Sequence, residues 1–300
     1  MSRKLNTPVL FLVFNRLDTT KQVFSAISEA KPPRIYIASD GAREGVVGEK
    51  EKVEAVRKYI LENINWDCEV KTLFRDKNLG CGRAVSGAIT WFFENEEQGI
   101  ILEDDCLPSQ SFFYFCEDLL TRYKNDNRIG QISGFNFGFR SNNFKYGYFF
   151  SIYPSIWGWA TWKNRWSNYS FNFEDLDEVI ENKQLLLFFK KNNLNNRVKI
   201  FKDVSSGLID TWDYQWSFSL YKNNQLSVIP SINYIKNIGF GPSATHTTGD
   251  NPYKDIEFFN KNNFNHPKYI VQLPLFNNYI FKSKSYLSRI LKIFFKYDKN

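Results

Sequence analysis

The sequence predicts an α/β fold, a mainly parallel sheet with helices on both faces. Three observations carry that expectation. Residues 9–123 alternate short apolar runs with longer amphipathic ones. The first run, Val9–Phe14, is continuously apolar, as a strand buried on both faces is. Each run then stops at polar residues, and open sheets of this kind bind ligands beyond the carboxyl ends of their strands.

Val9–Phe14 is the first such strand, closed by Asn15-Arg16. Asp18 is then expected to cap a helix to about Ala30, with Val23, Phe24 and Ile27 on one face. Arg34–Ala38 is the second strand, ended by Ser39-Asp40-Gly41. Glu49–Asn63 reads as a helix, with Val53, Val56, Tyr59 and Ile60 on one side. Glu69–Phe74 is the third strand, followed by Lys77-Asn78-Leu79-Gly80 and a helix over Gly82–Glu94. Gly99–Leu102 is the fourth strand, cut off by Glu103-Asp104-Asp105, and Phe112–Tyr123 is a helix. Beyond this the alternation breaks down. Ser155–Trp166 is expected as a short helix, Phe173–Lys190 and Arg197–Ser205 as helices, and Asp210–Tyr221 as a helix opening on Asp210 or Thr211. Leu226–Pro230 reads as a strand. Asn237–Gly249 reads as a mobile loop, hinged on the glycines around Phe240. No repeat or linker separates the halves. The expected division is residues 1–125, residues 126–278 of the same domain, and a C-terminal helix over 279–300.

Composition excludes several classes. With 43% hydrophobic and 18% aromatic residues the chain is too apolar to be disordered. Its net charge of +7 is unevenly placed. Residues 279–300 hold six basic groups against one acid, and the other residues hold 33 against 31. A body so nearly balanced suggests no nucleic-acid partner. At about 100° per residue, Leu287, Ile290, Leu291 and Phe294 share one face of the tail, opposite Arg289, Lys292, Lys296 and Lys299. That pattern suits peripheral membrane contact through 284–299, and it equally suits a last helix docking its stripe on the core. Both readings stay open. Four cysteines without zinc spacing read as free thiols in a reducing cytoplasm. The N-terminus has no signal-peptide pattern. No apolar run reaches the ~20 residues of a spanning helix. The expected location is therefore cytoplasmic, at the inner face of the membrane if the tail binds there. Gly80-Cys81-Gly82-Arg83-Ala84-Val85 lacks the third glycine of a dinucleotide fingerprint, and no P-loop occurs.

Three adjacent carboxylates, Glu103, Asp104 and Asp105, repel one another and need a counter-charge. Hard oxygens select Mg2+ or Mn2+, which usually bind one or two carboxylates together with substrate phosphates. The alternative is an exposed acidic turn. Arg16 has the guanidinium geometry that suits a diphosphate, or else it neutralises Asp18. Asp213 stands between Trp212 and Tyr214, and apolar walls raise a carboxyl pKa towards the range of a general base. Alternatively, Asp213 or Asp210 simply starts a helix. Tyr153, Trp157, Trp159 and Trp162 could stack on sugars, and most are expected in the core.

A first strand ending in Asn-Arg, a second ending in Asp-Gly and an acidic triplet after the fourth resemble the GT-A-fold nucleotide-sugar glycosyltransferases, family 2-like. The Glu-Asp-Asp triplet with Trp212-Asp213 is similar to the N-acetylglucosaminyltransferase I family. The Trp157-Gly158-Trp159-Ala160-Thr161-Trp162 segment resembles bacterial family 2-like proteins. The likeness covers about residues 7–246 and is densest over 7–107. It implies a GT-A (Rossmann-like) fold whose first half binds the donor and whose second half binds the acceptor. It also implies metal-dependent, inverting transfer of a hexosyl or N-acetylhexosaminyl group. The donor would be a nucleotide-sugar, expected to be a UDP-sugar, and the acceptor a surface glycan or lipid-linked molecule. By the same resemblance Asp105 is the Mn2+ or Mg2+ ligand, and Asp104 meets the ribose or the water shell of the ion. Glu103 reaches the donor sugar, and Asp40 accepts from the pyrimidine N–H. Arg16, with Arg83 as a second candidate, meets the diphosphate. Asn78 belongs to the loop flanking the donor, and Asp213 is the base. His246 is either an extra metal or phosphate ligand or a structural residue. The chain departs from the family at Tyr214-Gln215, where a second acid is missing. A catalytically inactive nucleotide- or glycan-binding protein is the alternative reading. Oligomeric state is not legible.

Overall fold

The apolar runs of the first half become strands because alternate residues fill opposite layers. The computed structural model describes residues 4–140, 144–189, 191–240, 253, 256–261 and 264–280, the side chains of 191–193 excepted. The four runs are β1 (Val9–Val13), β2 (Arg34–Ser39), β3 (Glu69–Phe74) and β4 (Gln98–Glu103). They pair in parallel in the order β3-β2-β1-β4. Between them run α1 (Leu17–Ala30), α2 (Glu49–Asn63) and α3 (Gly80–Asn95). Val9, Phe11 and Val13 pack with Val23, Phe24 and Ile27 of α1 and Val56 and Ile60 of α2. Leu10 and Leu12 pack on the other face, with Ala88, Ile89 and Phe92 of α3. Both faces of β1, β2 and β4 are covered, so no polar alternation is written into these strands, whereas β3 at the sheet edge carries polar residues and stays partly exposed.

The second half adds β5 (Cys106–Pro108), α4 (Gln110–Arg122), β6 (Ile129–Ser133), β7 (Tyr148–Ser151), β8 (Trp159–Trp162) and α5 (Lys163–Trp166). It continues through α6 (Leu176–Glu181), a 3-10 turn at Gln184–Leu187, α7 (Lys191–Ser205), α8 (Asp213–Lys222), β9 (Leu226–Pro230) and β10 (Ile235–Asn237). The sheet extends from β4 through β8, β6 and β9 to β7, making eight strands. β6 and β9 are parallel, while the β4–β8, β8–β6 and β9–β7 pairings are antiparallel. The protein is thus an α/β fold on one large, mostly parallel sheet. The β4–β8 pairing carries it across residue 125 without interruption. β5 and β10 form a separate antiparallel ribbon.

Several expectations are corrected. The Trp-rich segment is not a helix but β8 followed by one helical turn. Trp159 joins the α3-side cluster while Ala160 and Trp162 join the α1-side cluster, a period of two. Bulky aromatic and β-branched residues suit such a pleated surface. The single helix expected over Phe173–Lys190 is broken, with Lys183 at φ 56° between α6 and the 3-10 turn. α7 starts at Lys191, before Arg197. α8 starts at Asp213, not Asp210. Asp18 lies in the first turn of α1 and does not cap it; the cap position is Arg16, whose side chain makes no capping hydrogen bond to the helix. β6 escaped notice because it carries Gly130, Gln131 and Ser133. Gln131 is buried but satisfied, donating to Ser133 Oγ (2.8 Å) and accepting from Trp216 Nε1 (2.6 Å).

The four cysteines are free. Among the described residues no helix is long and apolar enough to cross a membrane. The basic amphipathic helix expected over 284–299 lies outside the described residues, as does the loop from 241 to 249.

Candidate functional site

The loops leaving β1, β2, β3 and β4 meet at one edge of the sheet and wall a cavity of ≈ 300 Å³. Arg16, Asp40, Asn78, Glu103, Asp104 and Asp105 all line it. Local chemistry fixes these loops before any ligand arrives. Arg57 of α2 donates to Ser39 Oγ (3.0 Å), to the Asp40 carbonyl (3.0 Å) and to the Arg75 carbonyl (2.7 Å), tying the ends of β2 and β3 together. Gly41 permits the close approach of the next loop, since a Cβ there would lie 2.5 Å from the Lys77 carbonyl carbon. Asn78 Nδ2 donates to the Gly41 carbonyl at 2.8 Å. Both Asp40 oxygens accept from the Leu79 N–H, at 3.1 and 2.9 Å. Burial raises the Asp40 pKa, and these backbone N–H groups counteract part of the rise. Glu49 is only 2% exposed and accepts from Asn15 Nδ2 (2.9 Å) and from Arg43. The Arg43 contact holds the Glu49 carboxyl below its ordinary value.

The counter-charge of the acidic triplet is Arg16. Its guanidinium pairs with Asp104 and, at 2.9 Å, with Asp105, so the pairing with Asp18 is not the one formed. One guanidinium faces three carboxylates. Among the described residues, Asp104 Oδ2 and Glu103 Oε1 are buried without a hydrogen-bond partner. Burial, then the charges of Asp105 and Asp104, push Glu103 up to about 8. Burial likewise raises Asp104, against the pull of Arg16. The ribbon of β5 and β10 fixes the far side. Ile238 N–H donates to the Asp105 carbonyl at 2.8 Å, and a Cβ on Gly239 would lie 2.1 Å from Asp105 Oδ2. Phe240 then sets its ring edge to face against Trp157, 5.9 Å between centroids.

Among the described residues no three His, Cys, Asp or Glu side chains could together hold a metal ion. Ions of the Mg2+ type, however, take one or two carboxylates and complete their shell with substrate phosphates and water. The orphaned oxygen of Asp104 and the excess of carboxylates over guanidinium fit a hard divalent cation of that kind.

The remaining predicted residues are distributed unevenly. Asp213 is the first residue of α8 and is not part of the cavity wall. Its Oδ1 accepts from the Thr211 hydroxyl, and burial raises its pKa. Its charge reaches the cavity nonetheless, adding to the burial that raises Glu103 and Cys81. Arg83 is exposed, outside the cavity, with its guanidinium 4.5 Å from the centroid of Phe171. His246 lies outside the described residues. Of the aromatic set, Tyr153, Trp159 and Trp162 are buried core, while Trp157 is half-buried against Phe135, Phe240 and Tyr253.

Sequence reasoning missed Arg43, Arg75, Cys81 and Asp210, which also line the cavity. Arg75 had a signal, since it directly follows β3 as Asp40 follows β2. Asp210 had none. Its carboxylate accepts from the N–H groups of Cys81 and Gly82, both at 2.8 Å, and so caps α3 from the other half of the chain.

By sequence, no family model and no curated protein matches the chain. Solved structures align with parts of it. S. aureus TarS (residues 1–349) covers 77% of the chain and 60% of its own length, at TM-score 0.40 and 9% identity. The Streptococcus pneumoniae glycosyltransferase GlyE covers 74% and 45%, at TM-score 0.34 and 12% identity. The Pyrobaculum calidifontis mannosyltransferase PcManGT, solved with GDP-Man and Mn2+, covers 45% and 36%, at TM-score 0.31 and 14% identity. The chain therefore spans less than two thirds of the length of each. Superpositions this loose put no residue of the chain in correspondence with another.

Proposed function

We propose that the chain is a nucleotide-sugar glycosyltransferase, with a UDP-sugar as the expected donor and a surface glycan or lipid-linked molecule as acceptor. The observation that supports this reading most is the meeting of Arg16, Asp40 and the Glu103-Asp104-Asp105 triplet in one cavity, beyond the carboxyl ends of parallel strands. Residues 1–125 supply the donor half and residues 126–278 the acceptor half. Asp105 and Asp104 would hold Mn2+ or Mg2+, which when bound supplies Lewis-acid stabilisation of a leaving diphosphate.

The chain's own residues account for the rest. Asp40 accepts from the base, and Arg16 offers its planar fork to the diphosphate. Glu103, with its raised proton affinity, would meet a donor-sugar hydroxyl. In an inverting transfer the acceptor hydroxyl oxygen forms a bond to the anomeric carbon. The bond from that carbon to the diphosphate oxygen breaks, leaving its electron pair on the phosphate. The hydroxyl proton passes to Asp213, whose buried setting strengthens it as a base.

A binding protein without turnover is the second reading, favoured by the position of Asp213 outside the cavity wall. Two variants separate them. Asp105→Asn should abolish metal-dependent nucleotide binding. Asp213→Asn should spare binding and remove transfer, measured with a panel of UDP-, GDP- and CMP-sugars. Nucleotide binding by the parent chain without turnover on any donor, with or without Mn2+, would favour the second reading. Equal loss of binding in both variants would refute the division of roles.

A further inference from the structure

We propose that a second cavity, at the far end of the same sheet edge, binds an acidic sugar unit of a glycan strand, one that carries a carboxylate or a phosphate. The binding stands on the geometry of this cavity. Only its service as a remote hold on the acceptor rests on the glycosyltransferase reading above.

The cavity measures ≈ 320 Å³. Its walls come from the chain around Gly147 at the start of β7, from Ser231 and Ile232 after β9, and from Lys261 and Asn265. Sheet register places it. Ile100 of β4 pairs with Ala160, Ala160 with Ile132, Ile132 with Val228, and Val228 with Phe150. Counting the same three positions onward from Ile100 and Val228, and back from Phe150, puts Glu103, Ser231 and Gly147 in one row. β7 stands four strand spacings from β4, about 19 Å. Trp157 precedes the antiparallel β8, while Phe135 and Phe137 follow β6, so these rings occupy the same edge between the two cavities. Phe240, next to the Gly239 that abuts Asp105, meets Trp157. Trp157 meets Phe135 at 4.7 Å between centroids, and Phe135 meets Phe137 at 5.3 Å. Phe240, Trp157 and Phe137 are each half-buried and keep surface for a chain laid along the edge.

The cavity is held open by backbone contacts. Ser231 donates both its N–H and its hydroxyl to the Gly147 carbonyl, each at 2.9 Å. The Gly147 N–H donates to the Asn265 carbonyl at 2.8 Å, and a Cβ on Gly147 would lie 3.1 Å from the Asn265 nitrogen. Two kinds of surface meet there. Phe139 and Phe149 are buried behind the half-buried Phe144, and Tyr146 is 39% exposed. Lys145 and Lys261 are exposed. Among the described residues neither lysine forms an ion pair, and no carboxylate lines the cavity. The body of the chain is nearly balanced in charge, so two unpaired cations at one cavity are a local excess. The apolar C–H face of a sugar ring can bury against the aromatic rings while its hydroxyls stay at the wet rim. The ammonium groups offer donors and no acceptor, which suits a carboxylate or phosphate on that sugar.

Calorimetric binding of three oligosaccharides to the full chain, in one low-salt buffer, tests this. Hexagalacturonate carries carboxylates, a phosphorylated mannan hexasaccharide carries phosphates, and maltohexaose is neutral. At least one acidic oligomer should bind about tenfold or more tighter than maltohexaose, and the two acidic arms tell carboxylate from phosphate. The double variant Lys145→Ala, Lys261→Ala should weaken that oligomer about 3- to 30-fold and leave maltohexaose and Mn2+–UDP within about twofold. Tyr146→Ala should weaken the acidic oligomer about 3- to 10-fold through lost ring contact. All these side chains are exposed, so the thermal midpoint should not move. Acidic oligomers binding no better than maltohexaose would overturn the inference. So would an unchanged affinity in Tyr146→Ala, which would reduce the site to general attraction of anions. Tighter binding of hexathymidylate than of either acidic oligomer would overturn it in favour of a nucleic acid. Acidic-glycan binding by a chain that binds no UDP would support this cavity and sink the donor-site reading alone.

Discussion

Removing the Asp210 carboxylate should loosen the start of α3 and, through it, the wall of the cavity. Two backbone N–H groups, of Cys81 and Gly82, donate to Asp210 at 2.8 Å. Replacing an N-terminal cap by Ala costs about 0.5–2 kcal/mol, and a charge at a helix N-terminus contributes about 0.3–1 kcal/mol. Asp210 is exposed and solvent screens it. The total for Asp210→Ala is therefore about 1–2 kcal/mol rather than the simple sum. Asn caps nearly as well as Asp, so Asp210→Asn should lose less than about 1 kcal/mol. The same contact can be attacked from the other side. A Cβ on Gly82 would lie 2.7 Å from Asp210 Oδ1 and 2.8 Å from the Thr211 carbonyl, so Gly82→Ala must push the two halves apart. Urea unfolding of both single variants and the double variant closes a cycle. Because each single change already breaks the shared contact, the double variant should cost less than the two added together, by about 0.5 kcal/mol or more. Additive losses, or an Asp210→Ala variant as stable as the parent, would refute the coupling of the halves through this carboxylate.

Two further outcomes follow from the geometry. Gly239→Ala places a methyl group 2.1 Å from Asp105 Oδ2, so it should displace that carboxylate and weaken Mn2+-dependent nucleotide binding about tenfold or more, measured by calorimetry against the metal-free value. Glu49→Gln should cost about 1–2 kcal/mol at pH 7, at the low end for a buried carboxylate because Arg43 is 47% exposed. Since Arg43 depresses the Glu49 pKa, that stabilisation is complete above the unfolded glutamate value and fades as pH falls through the folded one. The difference between Glu49→Gln and the parent should accordingly shrink below about pH 4 in denaturant titrations.

β1, β2 and β4 were legible because parallel strands buried on both faces must be mostly apolar. β2, α2 and β3 begin where the residue pattern places them. The second half hid its strands for two physical reasons. β6 carries Gln131 and Ser133 in the core, where hydrogen bonds to one another and to Trp216 make polar side chains acceptable. β8 is built from Trp159 and Trp162 facing opposite ways, a density of aromatics that reads as a helix until the sheet supplies two surfaces to pack against. The triplet and Asp40 were legible because strand ends mark them. Asp210 was not, because its role depends on a contact across 128 positions of sequence, with no local pattern to announce it.

The arginines in and behind the cavity wall show why residue type and position alone could not rank them. Arg16, Arg43, Arg57 and Arg75 all belong to the loops or helices at the same sheet edge. Arg57 spends its donors on the ends of β2 and β3 and so builds the wall. Arg43 is taken up by Glu49, which also holds Asn15, and so braces one loop against another. Arg16 is shared between two carboxylates of the triplet, so any anion that reaches it competes with Asp104 and Asp105. Among the described residues, Arg75 alone of the four makes no hydrogen bond or ion pair. A guanidinium already satisfied by the protein gains little from a ligand, while an unsatisfied one regains the hydrogen bonds it lost on leaving water. Availability of donors, more than the presence of charge, therefore decides which of these residues can discriminate among ligands, and that property belongs to the packed structure.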